Sequence, residues 1–194
     1  MAWRPRLTSW RLRMRRSWRD LLAHTGGVAA IEFALVIPLI ILVYAGGFEI
    51  VQAATVNRKL TDTTVQLANV TTQYTAVAQP DLANIFAASS QIMAPYPSGS
   101  LKIVLSQVQT DKNSNGTVAW SQGYPTGTPC LAKNSAVALP AGFASPLANY
   151  ILVQTTYSYA PTIGSAFVHT IPMKDQIFMV PRQSPSIPAT GTPC

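Results

Sequence analysis

The sequence predicts an α+β protein in which a long N-terminal transmembrane helix continues into an extracytoplasmic domain with an antiparallel sheet. Three observations predict this class. Residues 33–48 carry no charge, basic residues crowd on the N-terminal side of that run, and segments with the alternating period of strands follow it. With 194 residues, of which 48% are hydrophobic and 11% charged, the chain has room for one membrane segment and one modest domain.

The apolar run defines the transmembrane helix, which we predict over residues 28–51. At about 1.5 Å per residue, this segment is long enough to cross the roughly 30 Å hydrocarbon layer of a membrane. A cleavable secretory signal is excluded, because the run is too long and contains Glu32 and Pro38. Pro38 has no backbone N–H, so it should kink the helix.

The net charge of +7 belongs to a short arm, residues 1–27, and not to the domain. Seven of the fourteen basic residues lie in this arm, whereas the rest of the chain has seven basic and six acidic side chains. Because cationic segments are retained in the cytoplasm, the N-terminus should be cytoplasmic and the chain beyond residue 52 should lie outside. An amphipathic surface helix and an unstructured leader fit the arm equally well. Nucleic-acid binding is not expected, since no recognition fold accompanies the arginines.

Helical spacing of apolar residues continues past the membrane, so residues 52–79 are predicted as a helical extension followed by a joint. Residues 80–194 are predicted as an α+β domain with a proline-rich tail. Pro80 should begin the helix of this domain. The predicted strands cover residues 101–110, 117–122, 150–158 and 177–180. The tyrosines of the third strand suit a binding surface and a sheet core equally.

The two cysteines, Cys130 and Cys194, both lie in the extracytoplasmic part of the chain. An oxidising compartment allows a disulfide to persist, so we expect a bridge between them that ties back the tail. Two free thiols are the alternative.

A family resemblance begins at Gly27. The run Val28-Ala29-Ala30-Ile31-Glu32-Phe33 that follows it resembles the type IV prepilin processing motif, in which a membrane peptidase cleaves after the glycine. A longer pattern resembles the TadE-like proteins of tight-adherence (Flp-type) pilus systems, whose relatives include the TadG-like proteins. Its members here are Gly27, Ala30, Glu32-Phe33-Ala34-Leu35, Pro38, Gly47, Glu49 and Arg58. The resemblance covers residues 26–68, about a quarter of the chain.

The resemblance implies a pilin-like architecture and a set of site residues. Gly27 and Val28 are the implied processing site of a prepilin-type peptidase, and Glu32 and Pro38 are the implied assembly residues. Cleavage would free the amine of Val28. In a filament, this cation could neutralise Glu32 of a neighbouring subunit in a dry interior. The implied partners are the bacterial inner membrane, the peptidase and other pilus subunits or assembly proteins.

We therefore interpret the chain as a membrane-anchored pseudopilin or pilus-assembly subunit of a tight-adherence pilus system, which acts structurally. It would be a single-pass protein of the inner membrane with a periplasmic domain, able to enter the pilus after processing. The alternative is an uncleaved, signal-anchored envelope module for binding or adhesion. The fate of residues 1–27 distinguishes the two interpretations.

One hairpin carries candidate metal ligands. Asp111, Asn113 and Asn115 resemble the first half of a calcium loop, but Gln122 stands where the bidentate glutamate belongs. A plain hairpin turn also favours asparagine and glycine, so we predict a turn and no metal.

Catalytic chemistry is not expected. His24 lies in the arm and His169 stands alone, and the sequence shows neither a nucleophile with its base nor a glycine-rich phosphate loop. We predict that the chain is not an enzyme and needs no cofactor.

Overall fold

The computed structural model describes residues 26–143, 145–163 and 169–191. The chain divides into two units, Met1–Phe48 and Glu49–Cys194. In chain order the elements are α1 (Gly26–Thr71), β1 (Val77–Ala78), α2 (Gln79–Met93), a short 3-10 helix (Ser98–Ser100), β2 (Leu101–Thr110), β3 (Gly116–Tyr124), β4 (Ala136–Val137), β5 (Asn149–Tyr159), β6 (Ile171–Met179) and β7 (Ala189–Thr190). The predicted α+β class is confirmed, because a long apolar helix precedes a domain built on an antiparallel sheet.

The second helix follows its sequence signals. Pro80 lies in the first turn, where its missing N–H is not needed, and Asp81 accepts a hydrogen bond from the N–H of Ala78 at 2.9 Å. The helix ends at Met93, shortly before Pro95. Its buried residues are Leu82, Ile85, Phe86, Ser89 and Met93. They recur at helical spacing, so α2 presents one side to the core.

The five-stranded sheet is antiparallel throughout, in the spatial order β4, β3, β2, β5, β6. β2 has its predicted limits, and β3 and β5 extend one or two residues beyond theirs. The predicted start of the last strand at Ile177 is wrong, because β6 begins at Ile171 and pairs with β5 along its whole length. Pro172 and Asp175 lower the β-propensity of this segment, so the pairing with β5 decides its extent.

The outer half of α1 and the whole of α2 cover one face of the sheet with a continuous apolar core. Leu60 of α1 and Leu105 of β2 are 0% and 1% exposed. Thr64 reaches the sheet directly, since its hydroxyl oxygen lies 2.6 Å from that of Thr155 on β5. Val70, which helical spacing predicts to face inward, is 39% exposed. The buried side of α1 has therefore rotated away from Val70 by the last turn of the helix.

A smaller core lies on the opposite face of the sheet, beneath the segment that joins β3 to β5. Val108 and Tyr150 are buried there, together with partly buried residues of that segment. The first half of β5 is therefore buried on both faces, which overrides the simple alternation of inward and outward residues. Tyr150, Tyr157 and Tyr159 are all buried. These tyrosines form sheet core, and the alternative that they present a binding surface is wrong.

The proline-rich tail contains an ordered segment, residues 181–190, which we name the tail strap. Its strand β7 pairs in parallel with β1, and Ile187 in the strap is completely buried. The indole N–H of Trp120 donates to the carbonyl oxygen of Ile187 at 2.8 Å. The side-chain oxygen of Gln107 accepts the N–H of Ile187 at 2.9 Å. The tail strap therefore fastens the tail to the sheet and to the segment between the two helices.

Candidate assembly site on the N-terminal helix

The first half of α1 is apolar and exposed on all sides. The most apolar 18-residue window of Gly27–Thr71 has a mean hydropathy of 2.5 and contains no buried residue. Leu39 and Tyr44 are 62% and 77% exposed. From Val28 to Val51 the helix is about 36 Å long, which matches the roughly 30 Å hydrocarbon core of a bilayer with some tilt. Within the described residues, α1 is the one helix that is long and apolar enough to cross a membrane.

The implied processing site, Gly27 and Val28, lies in the first turn of α1, which begins at Gly26. Both residues are exposed, and a Cβ on Gly27 would meet no neighbouring atom within 4 Å. Glycine inside a helix costs about 1 kcal/mol relative to alanine, so Gly26 and Gly27 make this turn easier to unwind. The site is therefore accessible, whereas the arm before it, residues 1–25, lies outside the described residues.

Glu32 lies one turn beyond Val28 on the same side of α1, because residues four apart in a helix are stacked. Its side chain is exposed. No other charged residue occurs between Gly26 and Phe48. In hydrocarbon, or inside a bundle of apolar helices, this carboxylate is the group that needs a positive partner.

Pro38 lies inside α1 and not at one of its ends, and it is exposed. Because proline has no N–H, the carbonyl oxygen of Ala34 lacks its usual helical donor. In hydrocarbon, a local rearrangement or a neighbouring helix must satisfy that carbonyl. The position of Pro38 in the middle of the apolar segment is established, and the kink stays a prediction.

Only one of the predicted disulfide partners falls in the described part of the chain. Cys130 is half-buried in the segment after β3, and Cys194 lies outside the described residues. Their pairing stays a prediction.

The Asp111 hairpin is held together by its own aspartate. One carboxylate oxygen of Asp111 accepts the N–H groups of Asn113 and Asn115, both at 2.8 Å, and the other accepts the side-chain amide of Asn115 at 3.0 Å. These hydrogen bonds, foremost the one from the Asn115 side chain, lower the pKa of Asp111. Among the described residues, no group of three or more His, Cys, Asp or Glu side chains could hold a metal ion.

Glu49 belongs to the TadE-like pattern, but its contacts could not be deduced from the sequence. Its carboxylate accepts the hydroxyl of Tyr159 at 2.9 Å and also the N–H of Ile163. These partners lie 110 and 114 positions further along the chain. Burial of the phenol and its hydrogen bond to Glu49 raise the pKa of Tyr159 to about 12. Glu49 therefore ties α1 to the end of β5.

Tyr159→Phe should lower the free energy of unfolding by about 1.5–3 kcal/mol, because a hydrogen bond to a charged acceptor is lost while the ring remains. Wild-type stability should also fall as the pH rises above about 10. In that range the unfolded tyrosine ionises, whereas the folded Tyr159 keeps its proton up to about pH 12. Urea titrations at about pH 8 and about pH 11 measure both effects. An equal pH dependence in the two proteins would contradict this role for Tyr159.

Residues 27–69 match the family model described as TadE-like protein. The match begins at Gly27 and contains Glu32, Pro38 and Glu49, so it includes the implied processing and assembly residues and the contact to β5. No curated protein and no solved structure matches the chain. Residues 27–69 are therefore similar to TadE-like proteins, and this similarity covers less than a quarter of the chain.

Proposed function

We propose that the chain is a membrane-anchored pseudopilin or assembly subunit that acts structurally in a tight-adherence pilus system. The TadE-like match over residues 27–69 supports a place among pilus-associated structural proteins. One observation gives this proposal its strongest support. The helix from Val28 to Phe48 is apolar and exposed on all sides, and its one charged side chain, Glu32, lies one turn from Val28.

Such a surface needs an apolar environment. Burial of apolar surface contributes about 25 cal/mol per Å², so a helix that is bare on every side is not stable as such in water. A bilayer covers it in the anchored state, and the apolar helices of neighbouring subunits cover it in a filament. Exposure on all sides suits both environments, whereas docking against one partner protein would need only one apolar side.

Glu32 gives the filament its specificity. A prepilin-type peptidase of the inner membrane cleaves after Gly27, and the new amine of Val28 neutralises Glu32 of a neighbouring subunit. An unpaired carboxylate in dry surroundings costs several kcal/mol, and the pairing offsets that cost only in one relative position of the two helices. The pair therefore fixes the register of adjacent subunits.

The proposed topology follows from the arginine-rich arm. Its charge holds the N-terminus in the cytoplasm and places the second unit in the periplasm, from which it can enter the pilus after processing. In that compartment Cys130 and Cys194 can form their disulfide. The second unit then presents the contacts that are specific to this subunit.

Glu32→Ala should leave membrane insertion intact and reduce the amount of the protein in sheared pili at least tenfold. Removing one partner of a buried ion pair costs about 3–5 kcal/mol, because the other charge is left unpaired. Immunoblots of the membrane and pilus fractions measure both quantities. Asp62→Asn is the matched control, since Asp62 is an exposed acid on the same helix beyond the apolar segment.

The competing interpretation, an uncleaved anchor for a binding module, predicts the opposite result for Glu32→Ala. Removing a costly carboxylate from a pure anchor should be neutral or should improve insertion. Normal recovery of Glu32→Ala in the pilus fraction would therefore contradict the proposed role of Glu32. A drop of the same size with Asp62→Asn would contradict it as well, because the effect would then not depend on the apolar segment.

A further inference from the structure

A groove with a volume of about 710 Å³ lies on the face of the sheet that the helices do not cover. Its floor consists of side chains from the central strands β2 and β5 and the edge strand β6. Successive side chains of a strand point to opposite faces, so residues that alternate with the helix-facing Ile103 and Val153 line the groove. The residues of the floor are Lys102, Val104, Gln154, Thr156, Lys174 and Gln176.

The strand register arranges the floor in rows. Thr156 of β5 is the partner of Lys102 on β2 and of Lys174 on β6, so the two lysines flank one threonine. In the next row, Gln154 stands between Val104 and Gln176. Neighbouring strands lie about 4.8 Å apart, which places the Cα atoms of the two lysines about 10 Å from each other. Both ammonium groups can therefore reach an anion bound above Thr156.

A loop over β3 forms one wall of the groove. Thr128 and Pro129 line this wall, and the N–H of Thr128 donates to the carbonyl oxygen of Pro125 at 3.0 Å. The loop approaches β3 at Gly123, where a Cβ would lie only 2.4 Å from the carbonyl oxygen of Thr128. Any other residue at Gly123 would push the loop away. The position of this wall therefore depends on Gly123, although the turn of the loop does not itself require a glycine there.

The described lining of the groove carries two lysines and one carboxylate, so positive charge is in excess. Lys102 and Lys174 are exposed, and neither forms an ion pair with any residue that the structure describes. Lys59, by contrast, donates to the carbonyl oxygens of Ile92 and Ala94 at the end of α2. Asp175 also lines the groove, and one of its oxygens accepts the N–H of Gln176 at 2.9 Å, a hydrogen bond that leaves the charge of the carboxylate in place. The described lining therefore presents two ammonium groups and one carboxylate beside amide and hydroxyl groups.

We propose that this groove binds an acidic peptide segment of a partner protein, with carboxylates on Lys102 and Lys174. The complementary charge is the first argument, because the two ammonium groups outnumber the one carboxylate, Asp175, among the described residues that line the groove. The volume suits a few side chains. Among the described residues that line the groove there is no aromatic ring on which bases of a nucleic acid would stack.

The bound peptide segment is held by contacts with side chains, and it does not pair with β6 as an additional strand of the sheet. β6 is an edge strand, but Pro172 has no N–H to donate, and Asp175 already occupies the N–H of Gln176. Both features block the pairing of another strand with this edge. The bound segment therefore lies over the floor of the groove and makes its main contacts through carboxylates.

A coupling experiment on the full chain in detergent micelles tests this proposal. The probe is hexaglutamate blocked at both ends, and a carbodiimide joins its carboxylates to lysine amines but not to the arginines of the N-terminal arm. Mass spectrometry then measures coupling at each lysine. Lys112 and Lys133 are matched controls, because both are exposed and lie outside the groove. Neither cleavage after Gly27 nor filament entry affects this readout, so its failure and failure of the proposed function are distinguishable.

Lys102 and Lys174 should couple at least about tenfold more than the two control lysines, which corresponds to about 1.4 kcal/mol of preferential binding. Lys102→Ala should lower coupling at Lys174, whereas Lys112→Ala should not. Equal coupling at all four lysines would overturn the proposal. Complete suppression by a few millimolar inorganic phosphate would also overturn it, since the groove would then be a site for a free anion and not for a peptide.

Discussion

Leu60→Ala should lower the free energy of unfolding of the second unit by about 2–5 kcal/mol, one of the largest effects of any single substitution in this chain. Leu60 is completely buried between α1 and the sheet, in the core that also contains Leu105 and Ile151. Alanine would remove most of the side chain and leave a cavity that the helix and sheet cannot both close. Urea titration of the detergent-solubilised protein, followed by circular dichroism, measures the change.

Leu39→Ala provides the matched control, because it makes the same chemical change on the same helix. Leu39 is 62% exposed in the apolar segment, so its loss removes no packing within the chain. We expect a change of less than about 0.5 kcal/mol in the unfolding of the second unit. If both variants lost the same stability, the assignment of Leu60 to the core and Leu39 to a membrane-facing surface would be contradicted.

Trp120→Ala should cost about 3–5 kcal/mol and release the tail strap. The indole is 6% exposed, and its N–H donates to the carbonyl oxygen of Ile187 and, at 3.3 Å, to the side-chain oxygen of Gln107. Without the ring, Ile187 loses its donor and part of its apolar cover. Amide hydrogen exchange should therefore speed up in residues 181–190 more than in the central strands.

Trp120→Phe separates the hydrogen bond from the packing. The variant keeps an aromatic ring but has no N–H, so the carbonyl oxygen of Ile187 is left without that donor at a cost of about 1–3 kcal/mol. Exchange in the tail strap should again rise, by less than in Trp120→Ala. Unchanged exchange in the strap of both variants would show that Trp120 does not hold it.

The sequence was sufficient to predict an element wherever the local sequence signals agree with the final structure. The uncharged run of residues 33–48 predicted the first half of α1, since few other structures tolerate so long an apolar segment. The limits of β2 were predicted correctly because β-forming residues continue until Asp111, which closes the turn. Pro80 and Asp81 likewise marked the start of α2.

The sequence failed where a contact joins residues that are far apart in the chain. β1 and β7 have two residues each and exist only because they pair with each other across the domain. The early start of β6 depends on its pairing with β5, which outweighs the low β-propensity of Pro172. The burial of β5 on both faces depends on a covering segment whose path no periodicity reveals.

Some residues of the candidate site could likewise be predicted from the sequence, and others could not. Gly27, Glu32 and Pro38 could be singled out from the sequence because their spacing resembles a known family and because a carboxylate such as Glu32 is rare in a membrane helix. The contact of Glu49 with Tyr159 could not, because nothing local to either residue indicates a partner 110 positions away. The lysine groove was hidden for the same reason, since it needs three strands in register and a loop at Gly123.

The central claim is that the chain is processed after Gly27 so that the apolar helix can enter a filament. Intact mass and N-terminal sequencing of the protein recovered from its native membranes test it most directly. We predict a chain that begins at Val28, with Glu32 as its fifth residue and without the seven arginines of the arm. A mature protein that still carries residues 1–27 would contradict the account and leave an uncleaved, signal-anchored envelope protein.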